Sequence, residues 1–109
     1  MKRISIKEVE KILEEKGNLI KVDLRYADLH GAYLHKNFCG ADLRFADLRG
    51  ADLRNTELNL TDLRFADLRG ANLSSTELNL ADLRFADLRG TILPETRTDG
   101  ANFYFSVRD

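Results

Sequence analysis

The feature that most restricts the fold of this chain is a leucine at every fifth position between residues 43 and 93. On an α-helix, a spacing of five residues would distribute these leucines around the whole circumference. On a β-strand, an odd spacing would place successive leucines on opposite faces. A chain that turns a corner every five residues instead directs all of them toward one common axis. The leucines are Leu43, Leu48, Leu53, Leu58, Leu63, Leu68, Leu73, Leu78, Leu83, Leu88 and Leu93.

A longer repeat is superimposed on the period of five. Residues 41–60 and 61–80 differ at only four positions, and residues 81–90 repeat the same opening again. One circuit therefore consists of four five-residue sides, and residues 22–40 form a first circuit that is one residue short. The position two before each repeat leucine is always alanine or threonine. We expect this small residue to point inward as well, because it leaves room for the leucine.

The short circuit can be read in two registers. Either Phe38 takes the leucine position and Cys39 points outward, or Leu34 and Cys39 are the inward residues and Phe38 points outward. The first register is favoured because Gly40 then matches the glycines at the corners of the later circuits.

The repeated unit Ala-(Asp/Asn)-Leu-X-X resembles the pentapeptide-repeat family over about residues 22–105. The resemblance implies an all-β fold, a right-handed quadrilateral parallel β-helix of about four coils, in which the leucine and the small residue point inward and the other three positions outward. Because one circuit cannot bury its own leucines, neighbouring circuits must stack.

The N-terminal sequence predicts a helix over residues 5–16 that caps the solenoid. Ser5 with Glu8 three residues later has the spacing of a capping box, and Gly17 suits the C-terminal end. The apolar stripe of this helix, Ile6, Val9, Ile12 and Leu13, would cover the first circuit. We therefore divide the chain into a helical cap, residues 1–18, and a pentapeptide-repeat β-helix with an irregular C-terminal coil, residues 19–109.

The C-terminal end has no comparable helix. Pro94 and the polar residues 96–100 are expected to spoil the fourth side of the last full circuit, and Ala101 to Phe103 re-enter the pattern. Two alternatives remain for the aromatic residues that follow. They fold over the open end, or the end is the contact surface of a homodimer.

The outer faces carry matched charges. Columns of aspartate stand beside columns of arginine, and the totals are 17 basic and 18 acidic residues. Some members of the family protect DNA gyrase by imitating duplex DNA, and that imitation needs a strongly negative rod. Because the charged columns are matched, a DNA-mimicking modulator of DNA gyrase or topoisomerase is the alternative function rather than the first choice. The interleaved aspartates also argue against nucleic acid as a partner.

One outward column is aromatic, and it is the candidate interaction stripe. Its members share the last position of the first-side unit: Tyr26, Phe45, Phe65, Phe85 and Phe105. Stacked aromatic side chains can simply stabilise one another, and an exposed aromatic stripe can also recognise a protein partner. Leu60 and Leu80 form a smaller apolar pair on the fourth side. We expect a non-enzymatic interaction scaffold with a protein partner.

Little in the sequence indicates catalysis, a metal or a cofactor. His30 and His35 fall on different sides, and Cys39 has no neighbour that would activate it. No segment approaches the apolar length of a membrane span, so we expect no membrane contact. A single cysteine and a charged N-terminus without a secretory pattern favour a cytoplasmic protein.

Overall fold

The computed structural model of the protein describes residues 3–109. Its backbone pairs through isolated parallel bridges, because each side of a circuit contributes one pairing residue before the chain turns. Within the described residues, the bridges form four columns. The first column contains Asp23, Asp42, Asp62, Asp82 and Asn102, and the second contains Asp28, Asp47, Asp67, Asp87 and Val107. The third contains Tyr33, Asp52, Asn72 and Ile92, and the fourth contains Asn37, Glu57, Glu77 and Arg97.

Backbone hydrogen bonds join each circuit to the next in the same way throughout. The Leu43 N–H donates to the Asp62 carbonyl at 2.8 Å, and the Asp62 N–H donates to the Ala41 carbonyl at 3.0 Å. At the corners a further bond closes a tight turn, as from the Ala46 N–H to the Leu43 carbonyl at 3.1 Å. The third residue of this turn, Phe45, has a φ of 61°. A positive φ at this position is the requirement of a type II turn. Within the described residues, the shortened corner between Leu34 and Asn37 lacks the closing bond.

The predicted short circuit is confirmed by the bridge offsets. The bridge from Tyr33 to Asp52 spans one residue fewer than the next bridge along the chain, from Asn37 to Glu57. The missing residue therefore lies between Tyr33 and Asn37. Phe38 is completely buried, and Cys39 is only partly so. The register that places Phe38 in the leucine position is thus correct.

The core is the column of inward leucines with their small companions. Every repeat leucine from Leu43 to Leu88 is buried, as are the alanines and threonines two positions earlier in these circuits. The inward threonines satisfy their hydroxyl groups on the backbone: the Thr61 hydroxyl donates to the Leu58 carbonyl at 2.7 Å. Burial of one leucine side chain contributes about 1.5–3 kcal/mol, so the stacked leucines supply much of the stability.

The N-terminal helix α1 (Ile6–Lys16) forms with the predicted caps. The Ser5 hydroxyl oxygen accepts a hydrogen bond from the Glu8 N–H at 3.2 Å, and Gly17 ends the helix with a φ of 75°. Val9 is buried in the main core, and Ile6, Ile12 and Leu13 pack against that core. None of the helical segments within residues 3–109 has the length and apolar character needed to cross a bilayer. The first two residues of the predicted cap 1–18 lie outside the described residues.

The segment before α1 also pairs with the solenoid. The Ile4 carbonyl accepts a hydrogen bond from the Asp28 N–H at 2.8 Å. In the next circuits, the Ala27 carbonyl receives the corresponding bond from Asp47, and the Ala46 carbonyl receives it from Asp67. Ile4 therefore supplies one backbone acceptor to the first circuit, in addition to the apolar cover provided by the helix.

The C-terminal coil is more regular than the sequence suggested. Arg97 bridges to Glu77, and Gly100 has the positive φ of the other corners, so residues 94–100 keep the backbone register and do not spoil the fourth side. The register survives because the turn tolerates Pro94 and because the Thr96 hydroxyl still donates to the Leu73 carbonyl at 2.6 Å. What changes is the burial, since Thr98 replaces the inward leucine and is exposed.

Candidate interaction surface

The five residues of the predicted stripe occupy equivalent corners, and we call this column the aromatic ladder. Each member is the third residue of its turn, and all five φ values lie between 60° and 63°. Because the same turn recurs at every level, the side chains leave the backbone in the same direction. The members are Tyr26, Phe45, Phe65, Phe85 and Phe105.

The rings of the aromatic ladder form one parallel stack without interruption. Successive ring centroids are 4.9–5.1 Å apart, and the ring planes deviate from parallel by only 3–9°. Phe45, Phe65 and Phe85 nevertheless expose 45–48% of their surface. Since neighbouring rings cover both faces of these three residues, the exposed part is the outer ring edge.

The left-handed backbone conformation at these five positions is unfavourable for an aromatic residue. A left-handed conformation costs a non-glycine residue about 1–2 kcal/mol. Ring stacking offsets that cost, because an aromatic pair contributes about 0.5–1.5 kcal/mol beyond burial. At the corner between the second and third columns, this turn position is occupied by glycine at each level, for example Gly50 with a φ of 63°. Glycine adopts the left-handed conformation without this cost.

Paired charges cover the side that carries the first column. The Arg44 guanidinium folds back on its own aspartate, with Nε 2.9 Å from Asp42 Oδ1 and Nη2 2.6 Å from Asp42 Oδ2. Its Nε also lies 3.6 Å from Asp62 Oδ2 in the next circuit. The hydrogen bonds from Arg44 hold the pKa of Asp42 below its usual value. The same arrangement recurs along the column and leaves it close to neutral.

The second column repeats this pairing and adds a residue from the N-terminal segment. Arg49 donates hydrogen bonds from Nε and Nη2 to the two carboxylate oxygens of Asp47, and these bonds lower the pKa of Asp47 to about 2. Arg3 reaches the same column, with Nη2 3.7 Å from Asp28 Oδ1 and 3.6 Å from Asp47 Oδ2. The guanidinium groups stand outside the carboxylates: the Arg49 side chain is 50% exposed and the Asp47 side chain 13%.

A groove of about 290 Å³ runs between the aromatic ladder and the second column. One wall is formed by rings of the ladder, and the other contains Arg3, Asp47 and Arg49. The sequence could not reveal this groove, because Arg3 is brought to the second column only by the fold of the N-terminal segment.

The fourth column differs from the first two in its hydrogen bonding. Asn59 Oδ1 accepts a hydrogen bond from the Asn79 N–H at 2.9 Å, in place of the side-chain ion pairs seen elsewhere. Leu60 and Leu80 follow at the corner, each about 60% exposed and each with a positive φ. These leucines therefore share the turn position of the aromatic ladder without forming part of it.

Three groups that could ligate a metal converge in the second column. Ligand atoms of Asp28, His30 and Asp47 lie within 4.8 Å of one another. His30 Nδ1 lies 2.6 Å from Asp28 Oδ1, and Arg3 faces both carboxylates. Because a guanidinium already compensates these carboxylates, the cluster resembles a salt-bridge network rather than a metal centre. His35 lies apart from it, 3.1 Å from Asp52 of the third column.

Cys39 does not have the surroundings of a reactive thiol. It is partly buried, and burial raises the pKa of its thiol. A raised pKa lowers the thiolate fraction on which nucleophilic reactivity depends.

The stacked circuits match a known family of repeat proteins. A model of pentapeptide repeats matches the chain in eight copies, over residues 18–61, 56–94 and 81–106. The chain belongs to the pentapeptide-repeat family. The resemblance noted from the sequence is thereby confirmed, and family membership makes this pentapeptide-repeat chain a right-handed β-helical solenoid.

Three of the solved structures similar to this pentapeptide-repeat chain are from cyanobacteria and a plant. Rfr23 from Cyanothece 51142 is 34% identical, with 81% of this chain and 65% of that chain covered and a TM-score of 0.47. A protein from the thylakoid lumen of Arabidopsis thaliana is 33% identical, with 84% and 57% covered and a TM-score of 0.47. The protein alr5209 from Nostoc Pcc 7120 is 28% identical, with 98% and 90% covered and a TM-score of 0.50. The chain thus spans less than two thirds of the first two proteins. No curated protein matches it.

The C-terminal end of this pentapeptide-repeat chain presents a second, shallower surface. Phe103 is half-buried and takes the inward position, and the Arg108 guanidinium carbon lies 4.5 Å from its ring centroid. Tyr104 and Phe105 are each 72% exposed, so these two residues do not fold over the end. The alternative in which the aromatic residues after Phe103 cover the open end is therefore wrong for Tyr104 and Phe105.

Proposed function

We propose that the protein is a non-enzymatic scaffold that binds a protein partner through the aromatic ladder. The observation that carries this proposal is the continuous, half-exposed ring stack, with centroids 4.9–5.1 Å apart. Aromatic residues, including phenylalanine, are enriched at the buried centres of protein interfaces. The ladder is also rigid before binding, because the stacked rings are already ordered, and a preformed surface loses less conformational entropy on association.

The scaffold is proposed to consist of a quadrilateral coil of about four circuits, residues 19–109, with residues 1–18 as a helical cap. The regular bridges from Asp42 to Asp62 and from Asp62 to Asp82 support this circuit length. The apolar packing of α1 against the core supports its role as a cap.

The alternative role, imitation of duplex DNA toward gyrase, has less support from the charges. Duplex DNA carries one negative charge per about 1.7 Å of axis. Here the first two columns pair their carboxylates with guanidinium groups, and in the second column the guanidinium of Arg49 is the more exposed partner. Such a surface is a weak substitute for a phosphate backbone. A gyrase supercoiling assay tests this alternative, and we expect no inhibition.

Affinity capture tests the scaffold proposal. Wild-type protein and the Phe65→Ser/Phe85→Ser variant are immobilised and exposed to a lysate of the source organism. We expect a specific band with the wild type that is lost with this variant. The matched control is Leu60→Ser/Leu80→Ser, which changes the same turn position at another corner and should retain the band. Equal capture by all three proteins contradicts the assignment of the aromatic ladder as the interaction surface.

A homodimer through the C-terminal end is proposed as a separate association. The exposed rings of Tyr104 and Phe105 and a groove of about 560 Å³ beside Phe103 support it. Analytical ultracentrifugation tests this proposal. The wild type should sediment as a dimer and Tyr104→Ser as a monomer, and a monomeric wild type at about 100 μM contradicts it.

A further inference from the structure

The exposed surface of the aromatic ladder consists of ring edges rather than ring faces. Phe65 lies between the rings of Phe45 and Phe85 at 5.0 Å and 4.9 Å, nearly parallel to both. An aromatic ring is negative on its face and positive at its edge, so two rings without a common stacking plane prefer the edge-to-face arrangement. A sugar or a cation would need a free ring face, which the interior of the ladder does not offer. The π face of a flat conjugated molecule is the complement of this surface.

The length of the aromatic ladder sets the shape of such a molecule. Five rings repeat every 4.9–5.1 Å, so the row of edges extends over about 20 Å. A compact molecule would touch two rings at most. A long planar molecule that lies parallel to the ladder contacts every ring at the same height, because the ring planes are nearly parallel and the turns are equivalent. The adjoining groove of about 290 Å³ gives room for substituents along one side.

The charged side chains beside the aromatic ladder determine which charge a bound planar ligand should carry. Arg3 and Arg49 line the groove, and their side chains are 56% and 50% exposed. Two carboxylates also line the groove, and both are less exposed than these arginines. Asp47 is 13% exposed and is bound by Arg49, and Asp67 is 29% exposed and is bound by Arg69. A ligand in the groove therefore meets guanidinium groups first, and these bind sulfonate or carboxylate groups well.

We infer that the aromatic ladder and its groove bind an elongated, planar, conjugated aromatic anion with its long axis parallel to the ladder. The ladder supplies edge-to-face contacts along the length of the molecule, and the groove supplies guanidinium groups for its acidic substituents. This inference goes beyond the proposed scaffold function, because it requires no protein partner and remains testable if none is captured.

Titration with Congo red, a planar dianionic bis-azo dye, tests the inference by its absorbance shift. The wild type should bind saturably, and Phe65→Asn/Phe85→Asn should weaken binding by about tenfold, as expected for two lost edge-to-face contacts. The matched control is Leu60→Asn/Leu80→Asn, at the same turn position and with the same positive φ, and its affinity should stay within about twofold of the wild type. No binding by the wild type at about 100 μM dye, or equal affinities of the two variants, overturns the inference.

Two further measurements keep the test independent of variant folding. In the wild type, the dye should shift the aromatic ¹³C–¹H resonances of Phe45, Phe65 and Phe85 and leave the methyl resonances of Leu60 and Leu80 in place. If the dye instead shifts the methyl resonances of Leu60 and Leu80 and leaves the phenylalanine resonances in place, the proposed binding site is wrong. Thioflavin T, a planar cation, tests the charge assignment: Congo red should bind more tightly and lose affinity as salt is added. Tighter binding of thioflavin T overturns the anionic class.

Discussion

The stacking energy of the aromatic ladder can be isolated by one pair of substitutions, Phe65→Asn and Leu60→Asn. Both residues are the third residue of the same type of turn, both have a φ of 62°, and both are partly exposed. Asparagine adopts the left-handed conformation more readily than either residue, and Asn55 already does so in an equivalent turn of this chain. The conformational gain is therefore similar in the two variants.

The two variants lose different side-chain contacts, and the difference between their free energies of unfolding measures the stacking energy. Phe65→Asn removes two ring contacts, at 5.0 Å and 4.9 Å. At about 0.5–1.5 kcal/mol per aromatic pair, the variant should be less stable than Leu60→Asn by about 1–3 kcal/mol. For a domain of this size the difference corresponds to about 5–15 °C in melting temperature.

Thermal unfolding followed by circular dichroism measures this difference, and urea unfolding gives the free energies independently. Phe105→Asn is a useful third variant, because Phe105 has one stacked neighbour in the ladder and should lose about half as much. If Phe65→Asn and Leu60→Asn change the melting temperature equally, the rings do not stabilise one another and the reasoning is refuted.

Further predictions concern the core, the caps and the charge columns. Leu63→Ala should cost about 2–5 kcal/mol and Ala66→Leu about 1–3 kcal/mol in urea unfolding, and a neutral Ala66→Leu would contradict a narrow interior. Ser5→Ala and Gly17→Ala should each cost about 1 kcal/mol, through loss of the N-cap bond and through strain at a φ of 75°. The pKa of Asp47 is lowered to about 2, so the stability from this pair is complete above about pH 4 and lost as the pH falls toward 2. Melting temperatures between pH 7 and pH 2 should fall less steeply for Asp47→Asn than for the wild type, and parallel curves would contradict this.

The inward half of the structure could be predicted from the sequence, because burial is a periodic property. A leucine at every fifth residue and a small residue two positions before it define the interior without knowledge of any contact. The position of Phe38 and the caps of α1 followed from equally local rules. In each case the physical cause acts over a few residues of the chain, where the sequence is sufficient.

The outward half could be predicted only as columns of residue types. The sequence placed Asp47 and Arg49 on one side, but the rotamer that folds the guanidinium back on its own aspartate depends on the turn geometry. Arg3 is distant from Asp47 along the chain, and no local rule connects the two. The regular backbone of residues 94–100 was missed for the opposite reason. Composition there departs from the repeat, while backbone pairing with the preceding circuit does not depend on side-chain identity.

The constant offset of the bridges from Asp42 to Asp62 and from Asp62 to Asp82 has a consequence for how such a protein changes length. A duplication of residues 61–80 would insert one complete level and extend every column, charged, aromatic and apolar, by one member without altering the ends. An insertion one residue shorter or longer than a circuit would instead require a local correction such as the one between Tyr33 and Asn37. Unequal recombination between near-identical gene segments can therefore change the length of the solenoid in steps of one strand spacing, about 4.8 Å. The residue types in each surface column stay the same.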